Sequence, residues 1–272
     1  MQLRHSRPRE RLFCSIDGFS PLRSLCRWFA GGLALYWLIG SGSGSRWCAD
    51  GLEQPIQEFF IAETVYPQER DEVQVTLTPS FWKSGHLRNG ELLLEAKYGI
   101  TNRFQVGAAF PYRALRNEEG DRHHGVGDVQ LSVLYNLLPG NDPFALSTSL
   151  EVEFPTGDED ADLGEGEVGW EPTLIAAKAF GKAQVHVNIG GELTRRESNL
   201  VYNIAGVYPL WKKFTPTLEL NGLTAEEGNR LYVTPGVYYR AGEEAELGVG
   251  VPTGVSHHAA TYGIIVKLTF EF

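Results

Sequence analysis

Most of this chain has no cysteine. Cys14, Cys26 and Cys48 all lie in the first 49 residues, so the remaining residues have no disulfide framework and no thiolate metal site. Basic residues are scarce too: beyond residue 49, 17 Lys+Arg face 32 Asp+Glu, a formal charge near −15 that argues against nucleic acid as a partner. Long apolar runs are lacking, and the one at residues 28–39 falls short of the ~20 residues a membrane-spanning helix needs. Beyond residue 70 no segment sustains a helical period, which removes helical bundles and α/β folds from consideration.

The first 49 residues read as a secretory signal peptide. Arg4, Arg7, Arg9, Arg11, Arg23 and Arg27 precede the apolar run, with only Glu10 and Asp17 against them. Cleavage is expected after Ser45 or Ala49, and an uncleaved anchor is the competing reading. Arg46 and Trp47 occupy positions where a lipoprotein cysteine at 48 would want small residues. Residues 50–70 alternate poorly and carry Pro55 and Pro67. They are expected to form a periplasmic extension, with a plug inside a barrel as the alternative.

From residue 71 the pattern has period two. Segments of about ten residues place apolar side chains on one face, as in Leu92, Leu94, Ala96 and Tyr98, or Leu131, Val133, Tyr135 and Leu137. The last segment sets Tyr262, Ile264, Val266, Leu268, Phe270 and Phe272 against Gly263, Ile265, Lys267, Thr269 and Glu271. An oily edge strand of this kind would aggregate in water unless the sheet is covered or closes on itself in a membrane. About twelve such strands, each long enough to cross a bilayer at a tilt, predict an all-β transmembrane antiparallel up-and-down barrel over residues 71–272, closed by its first and last strands.

Connections after even strands read as short turns, at 99–102, 139–143, 181–182, 211–213 and 241–244. Those after odd strands read as longer and polar, notably 113–126 and 156–168, with 194–198 shorter than the rule. Such parity predicts an outer-membrane barrel of a Gram-negative cell with both termini in the periplasm. Tyr98, Tyr112, Tyr135, Phe154, Trp170, Phe180, Tyr208 and Tyr239 fall near strand ends, as interfacial girdles require. Phe270 and Phe272 are expected to serve as the assembly signal, with the barrel-assembly machinery, outer-membrane lipid and lipopolysaccharide as partners. A secreted two-sheet sandwich is the alternative architecture.

With the apolar sets facing lipid, the intervening residues face a lumen. The candidate solute-path residues are Glu91, Glu95, Lys97, Asp128, Gln130, Glu151, Glu153, Glu171, His186, Asn188, Glu219, Glu244, Glu246 and Lys267. Carboxylates predominate, so a narrow bore should disfavour anions and favour cations or neutral polar solutes. No Ser, His and acid constellation stands out, and no catalytic residue, metal or cofactor is assigned. The pairs His123-His124 and His257-His258, expected in external loops, read as solvated, with transition-metal binding as the alternative, and the acidic stretch 157–167 lacks EF-hand ligand spacing and reads as a solvated loop.

Several pieces taken together resemble a known family. Residues 95–101 run Glu-Ala-Lys-Tyr-Gly-Ile-Thr, followed by Phe104, Gly107, Pro111 and Tyr112; Gly125, Gly127 and Asp128 come next with Tyr135. After these come 154–157 (Phe-Pro-Thr-Gly), 163–166 (Leu-Gly-Glu-Gly), Trp170 and 234–237 (Thr-Pro-Gly-Val). In order and spacing these resemble the outer-membrane family associated with the meta-pathway of phenol degradation. The resemblance implies a transporter for passive uptake of small organic, including aromatic, solutes, and it carries over no catalytic residue. A surface-recognition or structural barrel acting through its loops is the second reading, and a lipid-modifying enzyme the third.

Overall fold

The structure, a computed structural model, describes residues 53–85, 87–116, 122–138, 143–226, 228–242 and 244–272. The signal peptide expected over residues 1–49 lies outside them. The strands are β1 (Val73–Ser84), β2 (Leu87–Thr101), β3 (Phe104–Arg116), β4 (Arg122–Val126), β5 (Val129–Leu138), β6 (Phe144–Phe154) and β7 (Gly169–Phe180). They continue as β8 (Ala183–Leu193), β9 (Ser198–Val207), β10 (Phe214–Ala225), β11 (Gly228–Arg240), β12 (Ala245–Gly250), β13 (Thr253–Gly254) and β14 (Tyr262–Glu271).

All pairings are antiparallel. β4 and β5 both lie against β3, and β12 and β13 both lie against β11, so each couple is one barrel strand with a short break. The breaks fall at Gly127-Asp128 and at Val251-Pro252, and the ladder bridges them through Gly127 N–H to Pro111 O at 2.9 Å and Val251 N–H to Pro235 O at 3.0 Å. The result is a closed barrel of 12 strands. β1 pairs with β14 in the register Val75 with Phe270, Leu77 with Leu268 and Phe81 with Ile264, which abolishes the free edges an open sheet would present.

Burial is inverted relative to a protein folded in water. Leu92, Leu94, Phe110, Leu131, Leu174, Ile204, Leu218, Val237 and Ile264 are exposed on the outer wall, while Gln74, Thr76, Gln105, Asn136, Ser147, Asn188, Asn203, Glu219, Asn221 and Thr269 are buried inside. Period-two alternation sends each class to its own face, and only a hydrocarbon surround makes this the favourable arrangement. Aromatics mark the two rims. Tyr98, Tyr135, Phe180, Tyr208, Phe214 and Phe270 ring the end where β14 finishes, and Phe81, Tyr112, Phe154, Trp170 and Tyr262 ring the other.

The connections depart from strict parity. β1 resumes as β2 after residues 85–86, and β10 as β11 after 226–227, so two connections on the loop rim are as short as any turn. The expected loop 113–126 is mostly paired strand: Tyr112 to Arg116 lie against Val126 to Arg122, a hairpin that keeps its ladder because its backbone groups can bond to each other. His123 and His124 therefore stand on β4 rather than in a loop. The long unpaired connections on this rim are 155–168 and 255–261.

The larger departure is at the front. Of residues 50–70, expected first as a periplasmic extension and alternatively as a plug, the described part from 53 to 68 lies inside the barrel, as the alternative had it. The segment enters at the turn rim, reaches mid-depth near Phe60 to Glu63 and returns to the turn rim at Arg70, where β1 begins. Ile56, Phe59, Phe60, Ala62 and Val65 are each buried to 6% exposure or less. They pack in two groups against inward residues of the wall: Ala205, Val207, Tyr238 and Ile265 in one, Leu134, Ala145, Ile175 and Ala177 in the other. Ile56, Phe59, Phe60, Ala62 and Val65, which alternation could not place, form the apolar core inside the barrel with these wall residues.

Candidate functional site

The interior divides into two halves of different chemistry. On the turn side the wall presents amides, hydroxyls and a few charges, and the N-terminal segment fills it. On the loop side it presents carboxylates that water reaches.

The segment has no strand partner, so its buried backbone polar groups need side chains from the wall. Glu219 on β10 accepts from three consecutive backbone amides: Phe60 N–H at 2.7 Å, Ile61 N–H at 3.0 Å and Ala62 N–H at 2.9 Å. Asn188 on β8 takes both sides of the next residue, its Oδ1 accepting from Glu63 N–H at 2.8 Å and its Nδ2 donating to Glu63 O at 3.1 Å. Val65 O accepts from Ser147 Oγ at 2.6 Å and Asn136 Nδ2 at 3.3 Å, and Gln105 Oε1 accepts from Gln68 N–H at 2.8 Å. Nearer the turn rim, Glu246 Oε1 accepts from Gln57 N–H at 3.1 Å and Arg240 donates to Pro55 O at 3.1 Å. Inward Asn, Gln, Ser and Glu thus do for this segment what a neighbouring strand does elsewhere.

Charge holds the same segment to the closing seam. Glu58 receives Lys267 Nζ of β14 at 2.8 Å, Lys97 Nζ of β2, and Gln74 Nε2 of β1 at 2.6 Å. β2 and β14 flank β1, so one buried carboxylate spans the three strands where the barrel closes. Charge-assisted bonds of this kind are about twice as strong as neutral ones, and the protein interior screens them less than water does.

Rings fix the flanks. His186, 1% exposed, lies edge-on to Phe59 at 4.9 Å and to Tyr66 at 5.8 Å, and the Tyr66 hydroxyl is 2.7 Å from Gln184 Oε1. Phe60 stacks on Tyr238 with centroids 4.7 Å apart. Where the segment turns into β1, Gly99 is required: a Cβ there would fall onto the Glu69 carbonyl, and Gly99 N–H donates to Glu72 O at 3.0 Å.

Above this filled half stands an acidic vestibule. Glu91, Glu95, Gln130, Glu151, Glu153, Glu171 and Glu192 point inward and are half-buried. Glu151 and Glu171 face each other directly across β6 and β7. Lys97 reaches Glu95 at 3.2 Å, and Arg113 reaches Glu91 at 3.0 Å and Glu153 at 3.9 Å. Loop 155–168 bends in over this space. Asp128, fully buried, accepts from Gly157 N–H at 2.7 Å and Glu165 N–H at 2.6 Å, while Arg113 donates to Leu163 O at 3.2 Å and the Leu163 side chain is 5% exposed. The acidic stretch 157–167 is organised by these contacts and by a 3-10 turn at Glu159–Ala161 capped by Asp158.

The sequence-predicted path residues separate accordingly. Glu91, Glu95, Gln130, Glu151, Glu153 and Glu171 line the vestibule; Lys97, His186, Asn188, Glu219, Glu246 and Lys267 hold the segment; Asp128 holds the loop. Glu244 is not in the lumen: it lies exposed in the turn before β12, beside a small cavity at the turn rim lined also by Gln57, Arg240, Glu246, Thr269 and Glu271. It shares the parity of Glu246, but the strand begins only at Ala245. Among the described residues no three His, Cys, Asp or Glu side chains form a metal-binding group.

Reasoning from alternation missed the recess in which Phe60 sits. Its floor is Gly236 and Gly250, directly opposite each other on β11 and β12. Residues 247–251, Leu-Gly-Val-Gly-Val, carry the signal: valines outward and no side chain at all inward.

A closed barrel with an apolar outer wall, aromatic rims and a polar interior is the fold of an outer-membrane protein of the porin type. In overall shape it is similar to the KdgM porin (TM-score 0.53, 12% identity, 73% of this chain and 99% of that one) and to the NanC porin (TM-score 0.54, 10% identity, 72% and 98%). No curated protein sequence matches the chain. The chain belongs to the family described as "Putative MetA-pathway of phenol degradation", whose model matches residues 62–271.

Proposed function

We propose that this protein is an outer-membrane channel for passive uptake of small organic solutes, entered through the acidic vestibule and closed on its periplasmic side by its own N-terminal segment. The observation that carries this reading is how the bore is filled. The blocking segment is joined to the wall by side-chain hydrogen bonds and ion pairs, not by strand pairing, so it can leave without opening the barrel. Family membership favours aromatic solutes. The polar, carboxylate-lined vestibule favours neutral or cationic ones over anions, because low-dielectric walls concentrate the field of the charges between them.

Planar-bilayer recording tests it. The full chain is expected to show low conductance with rare openings, and a chain deleted for residues 53–66, which keeps the turn into β1, to show a steady open level. A correctly folded deletion variant with no conductance would overturn the channel reading. A surface-recognition role gains little here, since loop 155–168 bends into the mouth instead of projecting from it.

A further inference from the structure

The wall recess under Phe60 is built to hold a flat ring. In one row across four strands stand Thr217 of β10, Gly236 of β11, Gly250 of β12 and Ile265 of β14, each directly paired with the next. A Cβ on Gly236 would run into the Phe60 ring, and one on Gly250 would come within 2.6 Å of it, so the ring occupies space that any other residue would fill. One row towards the turn rim, Tyr238 stacks on Phe60 at 4.7 Å and 22°, with Gly248 opposite, where a Cβ would meet the Tyr238 ring. Trp82 packs at the side.

Two polar atoms at this recess are unused. Tyr238 is 1% exposed and Thr217 is 6% exposed, and neither the Tyr238 hydroxyl nor Thr217 Oγ1 has a hydrogen-bond partner. Burying a hydroxyl without a partner costs free energy, and Phe60 offers nothing to bond. A ring bearing its own hydroxyl would.

We infer that this recess is a binding site for a hydroxylated monoaromatic solute, occupied in the closed state by Phe60 as a stand-in, and that the solute displaces Phe60 and so loosens the plug. The inference rests on the channel reading and names the solute class. Competition of this kind lowers the apparent affinity of the intact chain, because the site is free only in the minor, unplugged population.

Phenol serves as the probe, with toluene to test the hydroxyl and cyclohexanol to test the ring. Binding to the full chain is measured by calorimetry in detergent, with heat-modifiable gel migration as the folding check. F60A is expected to bind phenol about tenfold or more tighter than the unaltered chain, since the occupant is gone. F60L, which keeps the plug apolar but not flat, should gain less. Adding G250V to F60A should abolish the gain, and adding Y238F and T217V should erase the preference for phenol over toluene. Folded F60A and F60L that bind phenol no better than the unaltered chain, or F60A that takes cyclohexanol equally well, would overturn the inference. Conductance of the chain deleted for 53–66 is recorded alongside. If that variant conducts while F60A gains no phenol affinity, the inference fails and the channel reading stands; if the folded deletion never conducts, the channel reading itself fails.

Discussion

Glu219 shows how much one side chain can do inside a barrel. Its carboxylate accepts from Phe60, Ile61 and Ala62, three amides that no neighbouring strand serves. Replacing it with alanine takes the acceptor from three amides, two of them, Phe60 and Ala62, buried. Hydrogen bonds to a charged group and the cost of unsatisfied donors put the loss at about 2–3 kcal/mol of plug seating, roughly a 30- to 150-fold rise in the unplugged population. Single-channel open probability of E219A checks this, and an unchanged value would mean that other contacts seat the plug. Nothing about position 219 in the sequence marks it out from the other inward carboxylates. The distinction between Glu219, which holds the plug, and Glu151, which faces the vestibule, comes from what each meets across the lumen.

At the scale of elements, two non-strand segments close the bore from opposite ends. The N-terminal segment fills the turn half, and loop 155–168 covers the vestibule through Asp128 and Arg113. Closures in series have a definite signature. D128A should free the loop yet leave conductance of the full chain unchanged, because the plug still blocks, and should raise conductance in the background deleted for 53–66. An equal rise in both backgrounds would show that the loop, and not the plug, limits flow. The strands were legible because a two-residue period survives any tertiary arrangement. The plug was legible only as the alternative to an external tail: its apolar residues follow neither period, and its backbone bonds reach residues 37 and 189 positions away, such as Gln105 and Glu246. Long-range pairing of that sort leaves no local trace, so the same residues read first as an external tail and only second as a plug.

Across the whole molecule, charge is distributed by depth. Acidic side chains crowd the vestibule, with Lys97 and Arg113 among their partners, and Lys97 is shared with Glu58 of the plug. A reversal potential recorded across a KCl gradient with the chain deleted for 53–66 should therefore report cation preference, and E151Q with E171Q should reduce it. Since Glu151 and Glu171 lie directly opposite one another, E151Q alone should also stabilise the barrel by about 0.2–1 kcal/mol, read as a higher unfolding temperature in detergent. A double variant with unchanged selectivity would place the selective region elsewhere.

By itself the sequence determined the wall: which residues meet lipid and which meet the lumen, about how many strands there are, and that the first and last must close the sheet. These follow from alternation and strand length, which are local properties set by backbone geometry and bilayer thickness. Only the tertiary structure decided what occupies the lumen. Whether an inward carboxylate lines a path, pins a plug or caps a loop depends on which distant segment comes within hydrogen-bond reach once the barrel has closed, and the recess under Phe60 exists only because Gly236 and Gly250, fourteen positions apart, fall opposite each other in the register of β11 and β12.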